Sequence, residues 1–431
     1  MKLVFYGDDF TGATDTLGTF ARAGLRVLLL PRVPSVAEVE ALGPLDVLGI
    51  AGAARSMASD PMRAELEPLG RLFAALGVPL LHYKTCSTFD SAPQLGSIGH
   101  AVSVLRPFAA NPLVAIVGGQ PNLGRYCLFG NLFAALRTGG EVYRLDRHPT
   151  MREHPATPMH EADLRLHLRE QGLAKVINVA YPSYGSPVQQ QDALLARALA
   201  DDRPDAVLFD IGEQAHLAAV GRTLWQRAQQ APLLAVGSSG VAQALLAVWA
   251  DVLPHRAVTG KIAPSPVRDC PQARTPVTAR QVAAARSYEQ VAVDAARLLA
   301  TDSAYRDALL QRVIALLREG RHVLAVTATA GGSRVDTHAG AAALARACGT
   351  LLAALLREQP LKRIGVAGGD TSSHALRALG LNALAYAGEF APGVVMCRAR
   401  ADGSALNGME VMLKGGQVGD DELFERLLHG G

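Results

Sequence analysis

Aromatic side chains make up only 5% of this 431-residue sequence, too few to line a groove for a polymer. No basic run is present to follow a phosphate backbone. The 42 basic and 39 acidic residues leave a formal charge of only +3, so no nucleic acid partner is expected. The five cysteines, Cys86, Cys127, Cys270, Cys348 and Cys397, are odd in number and far apart. They lack the two-residue spacings that ligate zinc or cycle as disulfides, so reduced thiols are expected. The longest apolar segment, Leu233 to Leu253, is broken by Gly237-Ser238-Ser239-Gly240 and Asp251, which excludes it as a bilayer span. Met1-Lys2 runs straight into Leu3-Val4-Phe5-Tyr6 and then Asp8-Asp9. That leaves no room for a secretory apolar region, and a cytoplasmic location without a membrane partner is expected. Lysine is scarce as well, with six among the 42 basic residues, so Lys84 and Lys414 inside motifs carry some information.

What is present points to a folded α/β enzyme: 49% hydrophobic and 19% charged residues exclude a disordered chain. At roughly 100 to 200 residues per domain, the length predicts two domains or three. Short β-type runs bounded by turn residues alternate with helical patterns, the signature of βαβ units and a mostly parallel sheet flanked by helices. Strands are expected at Leu3 to Tyr6, Val27 to Leu30, Val47 to Ile50, Leu80 to Tyr83, Val114 to Val117, Val176 to Ala180, Ala206 to Phe209 and Leu233 to Val236. Residues 254–278 hold five prolines and no sustained periodicity, which predicts a boundary between an N-terminal domain (1–253) and a C-terminal one (279–431). The alternation then resumes, with strands expected at Val323 to Thr327, Arg363 to Ala367, Ala383 to Tyr386, Val394 to Cys397 and Val411 to Leu413.

Several turns could carry chemistry. Tyr6-Gly7-Asp8-Asp9-Phe10-Thr11-Gly12-Ala13 lies where the first strand gives way to a helix, the place where open α/β sheets bind ligands. Its two carboxylates either divide orientation and general-base work or cap the helix. Lys84-Thr85-Cys86-Ser87-Thr88-Phe89-Asp90-Ser91 reads either as a polar cradle for a hydroxylated acid or as an ordinary Ser/Thr turn. Arg55 suits bidentate carboxylate binding or a plain surface position. Gly368-Gly369-Asp370-Thr371-Ser372, between a strand and a helix, either admits a phosphate to backbone amides and a helix N-terminus or reverses the chain. It lacks the lysine of a Walker loop. Lys414-Gly415-Gly416-Gln417-Val418-Gly419 and Gly237-Ser238-Ser239-Gly240 repeat the pattern of glycines with polar neighbours after a strand.

In this order the motifs resemble the four-carbon acid sugar kinase family over nearly the whole chain. They match in Asp8 to Ala13 and in Lys84 to Ser91, the latter in the form found in the 3-oxo-tetronate kinase branch. Gly124-Arg125, Gly130 to Phe133, Thr157-Pro158-Met159, Gly237 to Gly240 and Gly368 to Thr371 match as well. The resemblance implies an N-terminal sugar-acid-binding domain, a C-terminal nucleotide-binding domain, an active site in the cleft between them, and ATP with Mg²⁺. It implies phosphorylation of a terminal hydroxyl of a four-carbon 3-oxo acid, with Asp9 as general base and Asp8 as its partner or a ligand on the metal side. Arg55 and Lys84 would hold the substrate carboxylate, and Asp90 and Ser91 its hydroxyls. Gly368, Gly369, Asp370, Thr371, Gly415, Gly416 and Ser238 would cradle the nucleotide. The expected partners are a small sugar acid and ATP, with a homodimer allowed.

The family's Gly-Ser-Cys-Ser loop reads Gln272-Ala273-Arg274-Thr275 here, so weakened ATP binding is expected, and Pro264 to Pro271 is expected to make a poor strand. Asp370 stands where the family more usually has Glu, and Gln417 and Val418 where it has Asn and Phe. Three alternatives remain open at this stage. One is a kinase for threonate or for a branched five-carbon 3-oxo acid such as 3-oxo-isoapionate. A second is a sugar-acid-binding protein without catalysis. The third, a nicotinamide dehydrogenase, is disfavoured because no Gly-x-Gly-x-x-Gly turn follows the first strand.

Overall fold

The computed structural model describes residues 1–136, 139–154, 156–249, 268–271, 276–300, 302–328, 338–416 and 418–429. Internal contacts divide the chain into two compact units. The N-terminal unit takes Met1–Asp8, Thr19–Val27 and Arg32–Ala257, and the C-terminal unit takes Asp9–Gly18, Leu28–Pro31 and Val258–Gly431.

The N-terminal unit is built on parallel strands in the order Val47–Ala51, Leu3–Gly7, Leu80–Lys84, Leu233–Gly237, Val114–Gln120, Ala206–Asp210 and Val176–Val179. All but the last are buried at every position, as a parallel sheet covered on both faces requires, and for that reason they read as unbroken apolar runs. The helix Ser59–Leu76 packs Met62, Leu66, Leu69, Leu72 and Phe73 inward. A feature the strand-and-helix alternation did not signal is an antiparallel meander that continues from Val114–Gln120 through Arg125–Leu128, Asn131–Ala135 and Val142–Arg144. Its strands are short and only partly buried, so they lack the apolar runs of the central sheet.

In the C-terminal unit the parallel order is Glu289–Asp294, Val323–Ala328, Arg268–Pro271, Arg363–Ala367 and Glu410–Lys414. Val394–Arg400 and Ala383–Ala391 extend it antiparallel, and Leu384 pairs with Leu29 of the strand Val27–Leu30. One apolar cluster joins Tyr288, Phe390, Met396, Met412 and Phe424, and another joins Val291, Leu298, Leu309, Val313 and Leu344.

The expectation of a poor strand before Pro271 is corrected. Arg268–Pro271 pairs residue for residue with Ile364–Ala367, and Pro271 falls opposite Ala367 at the end of the ladder, where a missing amide donor interrupts nothing. The rest of 254–278 lies outside the described residues, except that the helix Pro276–Ala284 has already begun. The helix after the Gly368 to Ser372 turn already starts at Gly369, because the Ser372 amide donates to the Gly368 carbonyl, at 2.9 Å. No described helix is long and apolar enough to cross a membrane.

Candidate active site

Parallel pairing brings the carboxyl ends of four N-terminal strands level, with Gly7 opposite both Ala51 and Lys84, and Lys84 opposite Gly237. The loops beyond them are then laced together. The Asp8 amide donates to the Lys84 carbonyl (2.9 Å), Gly52 to Gly7 (2.8 Å), Arg55 to Asp8 (3.1 Å) and Thr85 to Gly237 (2.9 Å). Gly52 is required by close approach, since a Cβ there would lie 1.9 Å from the Tyr6 hydroxyl.

This lacing places Asp8, Arg55, Lys84 and Asp90 in one unit and buries three of them: Asp8 is 3% exposed, Lys84 4% and Asp90 8%. Arg55, only partly buried, donates from Nη2 to Asp8 Oδ1 (2.8 Å) and from Nε to Oδ2 (3.3 Å). Lys84 Nζ donates to the Thr85 carbonyl at 2.7 Å. The Thr88 hydroxyl donates to Asp90 Oδ1 at 2.6 Å. Burial pushes the Asp90 carboxyl up, but the charges of His154 and Arg55 and the hydrogen bonds from Thr88 and Cys86 outweigh it and hold Asp90 below the ordinary carboxylate range. Burial, with the Asp90 charge beside it, pushes the Cys86 thiol up to about 11, which keeps it protonated and unreactive at neutral pH. Between Thr88 and Asp90, Phe89 adopts φ +55°, a left-handed conformation costly for a bulky residue. That turn aims the Asp90 carboxylate.

Asp9 opens the segment grouped with the C-terminal unit. Its Oδ1 accepts the Gly12 amide (2.8 Å) and its Oδ2 the Thr11 hydroxyl (2.7 Å), so Asp9 caps the helix Phe10–Arg22.

Other expected residues make hydrogen bonds within the protein. The Ser91 hydroxyl donates to the Phe89 carbonyl (2.8 Å), accepts from Gln171 Nε2 (2.9 Å) and lies 2.9 Å from His167 Nε2. These bonds tie the loop to the helix Leu164–Arg169. Ser238 belongs to the N-terminal unit and accepts the Gly240 amide at 3.2 Å. Arg125 donates to the Leu123 and Ala135 carbonyls (2.7 and 3.2 Å) and so pins the meander.

In the C-terminal unit, Gly368 at φ +107° precedes the helix Gly369–Ala378. Thr371, in the first turn of that helix, is 1% exposed and its hydroxyl has no partner among the described residues. The Gly368 amide donates to the Lys414 carbonyl (2.9 Å), so Gly415 and Gly416 follow beside the same turn. Asp370 is part of the helix, while Gln417 and Gln272 to Thr275 lie outside the described residues. Residues that the sequence did not single out are His154, which favours the ionised form of Asp90, and Asp210, which accepts the amides of Phe129 (2.6 Å) and Gly130 (3.0 Å). Neither sits in a motif whose spacing could have revealed it.

Comparison with known proteins matches residues 3–245 to a sugar-binding N-terminal domain and residues 273–424 to a nucleotide-binding C-terminal domain. A 3-oxo-isoapionate kinase of Paraburkholderia graminis is 36% identical, over 100% of this chain and 94% of its own length. A 3-oxo-tetronate kinase of Methylobacterium radiotolerans is 32% identical, over 98% and 97%. The crystal structure of a Salmonella typhimurium LT2 protein superposes with a TM-score of 0.76 at 26% identity, over 99% of this chain and 98% of that one.

Proposed function

The chain belongs to the four-carbon acid sugar kinase family, and from that premise we propose that it transfers the γ-phosphate of ATP to a terminal hydroxyl of a four-carbon 3-oxo sugar acid. ATP-dependent sugar-acid kinase is its enzyme class. The observation that carries the finer reading is the paired-carboxylate turn at the end of the first strand. There Arg55 fixes Asp8 by two hydrogen bonds, and the loop after Lys84 adds a buried cation and the Asp90 carboxylate.

Phosphoryl transfer asks for positioning and charge neutralisation more than for covalent chemistry. Lys84 attracts the substrate carboxylate. Asp90, held ionised, accepts hydrogen bonds from substrate hydroxyls, with Arg55 close by. Asp9 takes the proton of the attacking hydroxyl, its orientation fixed by the Gly12 amide and the Thr11 hydroxyl. Asp8, engaged by Arg55 through both oxygens, fits the role of orienting partner better than that of metal ligand. Gly368, Gly369, Thr371, Gly415 and Gly416 offer amides and a hydroxyl to the nucleotide phosphates. Among the described residues no three His, Cys, Asp or Glu converge as metal ligands. Mg²⁺, which would neutralise phosphate oxygens in such a reaction, fits as an ion carried mainly by the nucleotide phosphates.

A second reading, a branched five-carbon 3-oxo acid as substrate, is favoured by the 36% identity to the 3-oxo-isoapionate kinase. One additional carbon changes binding by only a small factor in many pockets. A coupled ADP-release assay over four- and five-carbon 3-oxo acids and threonate decides. A kcat/KM highest on a four-carbon 3-oxo acid supports the first reading, and one highest on the branched acid supports the second. No ADP release with any acid, despite ATP binding, overturns both.

A further inference from the structure

We infer that Lys414 is the phosphate-binding cation of the nucleotide site, in the role that a Walker loop gives to its lysine. The inference rests on the reading of Gly368 to Thr371 as the place where phosphate docks.

Lys414 ends the strand Glu410–Lys414, opposite Ala367, and its carbonyl accepts the amide of Gly368. Its backbone therefore lies directly against the turn that opens the helix Gly369–Ala378. The side chain is 0% exposed. Burying an ammonium is expensive, and a straight-chain apolar residue would fill the same space without that penalty. Nζ donates to the Thr278 hydroxyl at 3.0 Å, and that hydroxyl in turn donates to the Gly416 carbonyl at 3.0 Å. Thr278 is itself 0% exposed, so the ammonium is steered by a buried relay and does not move freely.

Around the same turn sits the Thr371 hydroxyl, 1% exposed and without a partner among the described residues. A buried hydroxyl left unsatisfied is costly. A cation, a hydroxyl able to donate and the amino end of a helix are then gathered at adjoining strand ends, Ala367 and Lys414. An anion with several oxygens can engage all three at once, and a phosphate does so with its charge matched by Lys414. The lysine comes from a strand 45 residues beyond Gly369 in the numbering, so its own glycine loop is legible in the sequence but its pairing with the Gly368 turn is not.

The test is calorimetric titration of ATP, ADP and adenosine into the full chain, the Lys414→Met variant and the Thr278→Val variant, with melting temperatures measured in parallel. Losing a charge-assisted bond predicts ATP and ADP weakened on the order of 10- to 100-fold in Lys414→Met, with adenosine and sugar-acid affinity unchanged. Thr278→Val, which keeps the ammonium but removes its bond to Thr278, predicts a weakening of ATP of a few-fold and serves if Lys414→Met does not fold. Unchanged ATP affinity in Thr278→Val and in any folded Lys414→Met overturns the assignment. So does an equal loss for ATP and adenosine with a lowered melting temperature, which marks a purely structural lysine. Absence of ATP binding to the unaltered chain overturns the nucleotide reading itself, and this inference with it.

Discussion

Arg55 and Asp8 form a two-point ion pair across 47 residues of sequence, with Nη2 2.8 Å from Oδ1 and Nε 3.3 Å from Oδ2. The side chains are 18% and 4% exposed. An arginine expected to meet the substrate is thus already holding a carboxylate, and it contributes to the site first by fixing Asp8.

Breaking this pair should cost stability as well as catalysis. Arg55→Ala removes a two-point ion pair from a buried carboxylate, so a loss of about 2–4 kcal/mol of unfolding free energy is expected. Asp8→Asn should relieve part of it in the double variant. Urea melts of the two single variants and the double variant measure this coupling. Additive losses would show that the pair contributes nothing as a pair.

Asp9→Asn should separate chemistry from folding. Asparagine is as good a helix cap as aspartate, so the bond from the Gly12 amide can persist and the melting temperature should stay put. Turnover should fall by about 10² to 10⁴-fold. Retention of half the activity would remove Asp9 as the base.

For Lys84, replacement by Met should raise the KM for the sugar acid at least ten times more than that for ATP. The measurement is initial rates with each substrate varied at saturating levels of the other. Equal changes in both constants would speak against a carboxylate-binding lysine.

Thr371→Val tests the nucleotide turn with a stability signature of its own. Because the hydroxyl has no protein partner among the described residues, removing it should leave stability unchanged or raised. ATP affinity should drop several-fold, on the order of one hydrogen bond. Destabilisation by more than about 1 kcal/mol would reveal a protein partner and undercut the phosphate role.

Acid should loosen the N-terminal unit through its histidines. Burial lowers His82 to about 3, while its Nε2 lies 3.0 Å from the Gly237 carbonyl. Burial lowers His167 and His148 as well. The unfolded chain, with histidines near 6.5, then binds more protons than the folded one below that value, so stability falls as pH drops from about 6.5 toward 3. Melting temperatures between pH 7.5 and 5 should show this decline, and His82→Gln should flatten it. An unchanged slope in that variant would assign the decline to other groups.

The central strands were legible because both faces are buried and their sequences are unbroken apolar runs. Several were expected one residue short, since Gly7, Lys84, Asp210 and Gly237 look like turn residues yet still pair in the ladder. Lys84 among them belongs to the proposed site, so the boundary error falls where it matters. Glu289–Asp294 escaped notice because only Val291 and Val293 mark its buried face. Paired Asp residues and a Lys–Asp loop can be read as local strings. Arg55 reaching Asp8 and Lys414 reaching Thr278, 136 residues away, depend on strand order, which no local pattern encodes.

The grouping of Asp9–Gly18 with the C-terminal unit has a consequence for how the chain is made. The Phe10 amide meets the Ser373 hydroxyl across 363 residues, and Gly18 lies against Val395. At typical ribosomal speeds of 5–20 residues per second, the first helix waits roughly 20 to 70 s for these neighbours to be synthesised. A chain released early, or a fragment starting at Val258, lacks one side of that packing. The paired-aspartate turn therefore becomes fully framed only near the end of translation, and incomplete chains leave its helix with apolar surface open to chaperones and proteases.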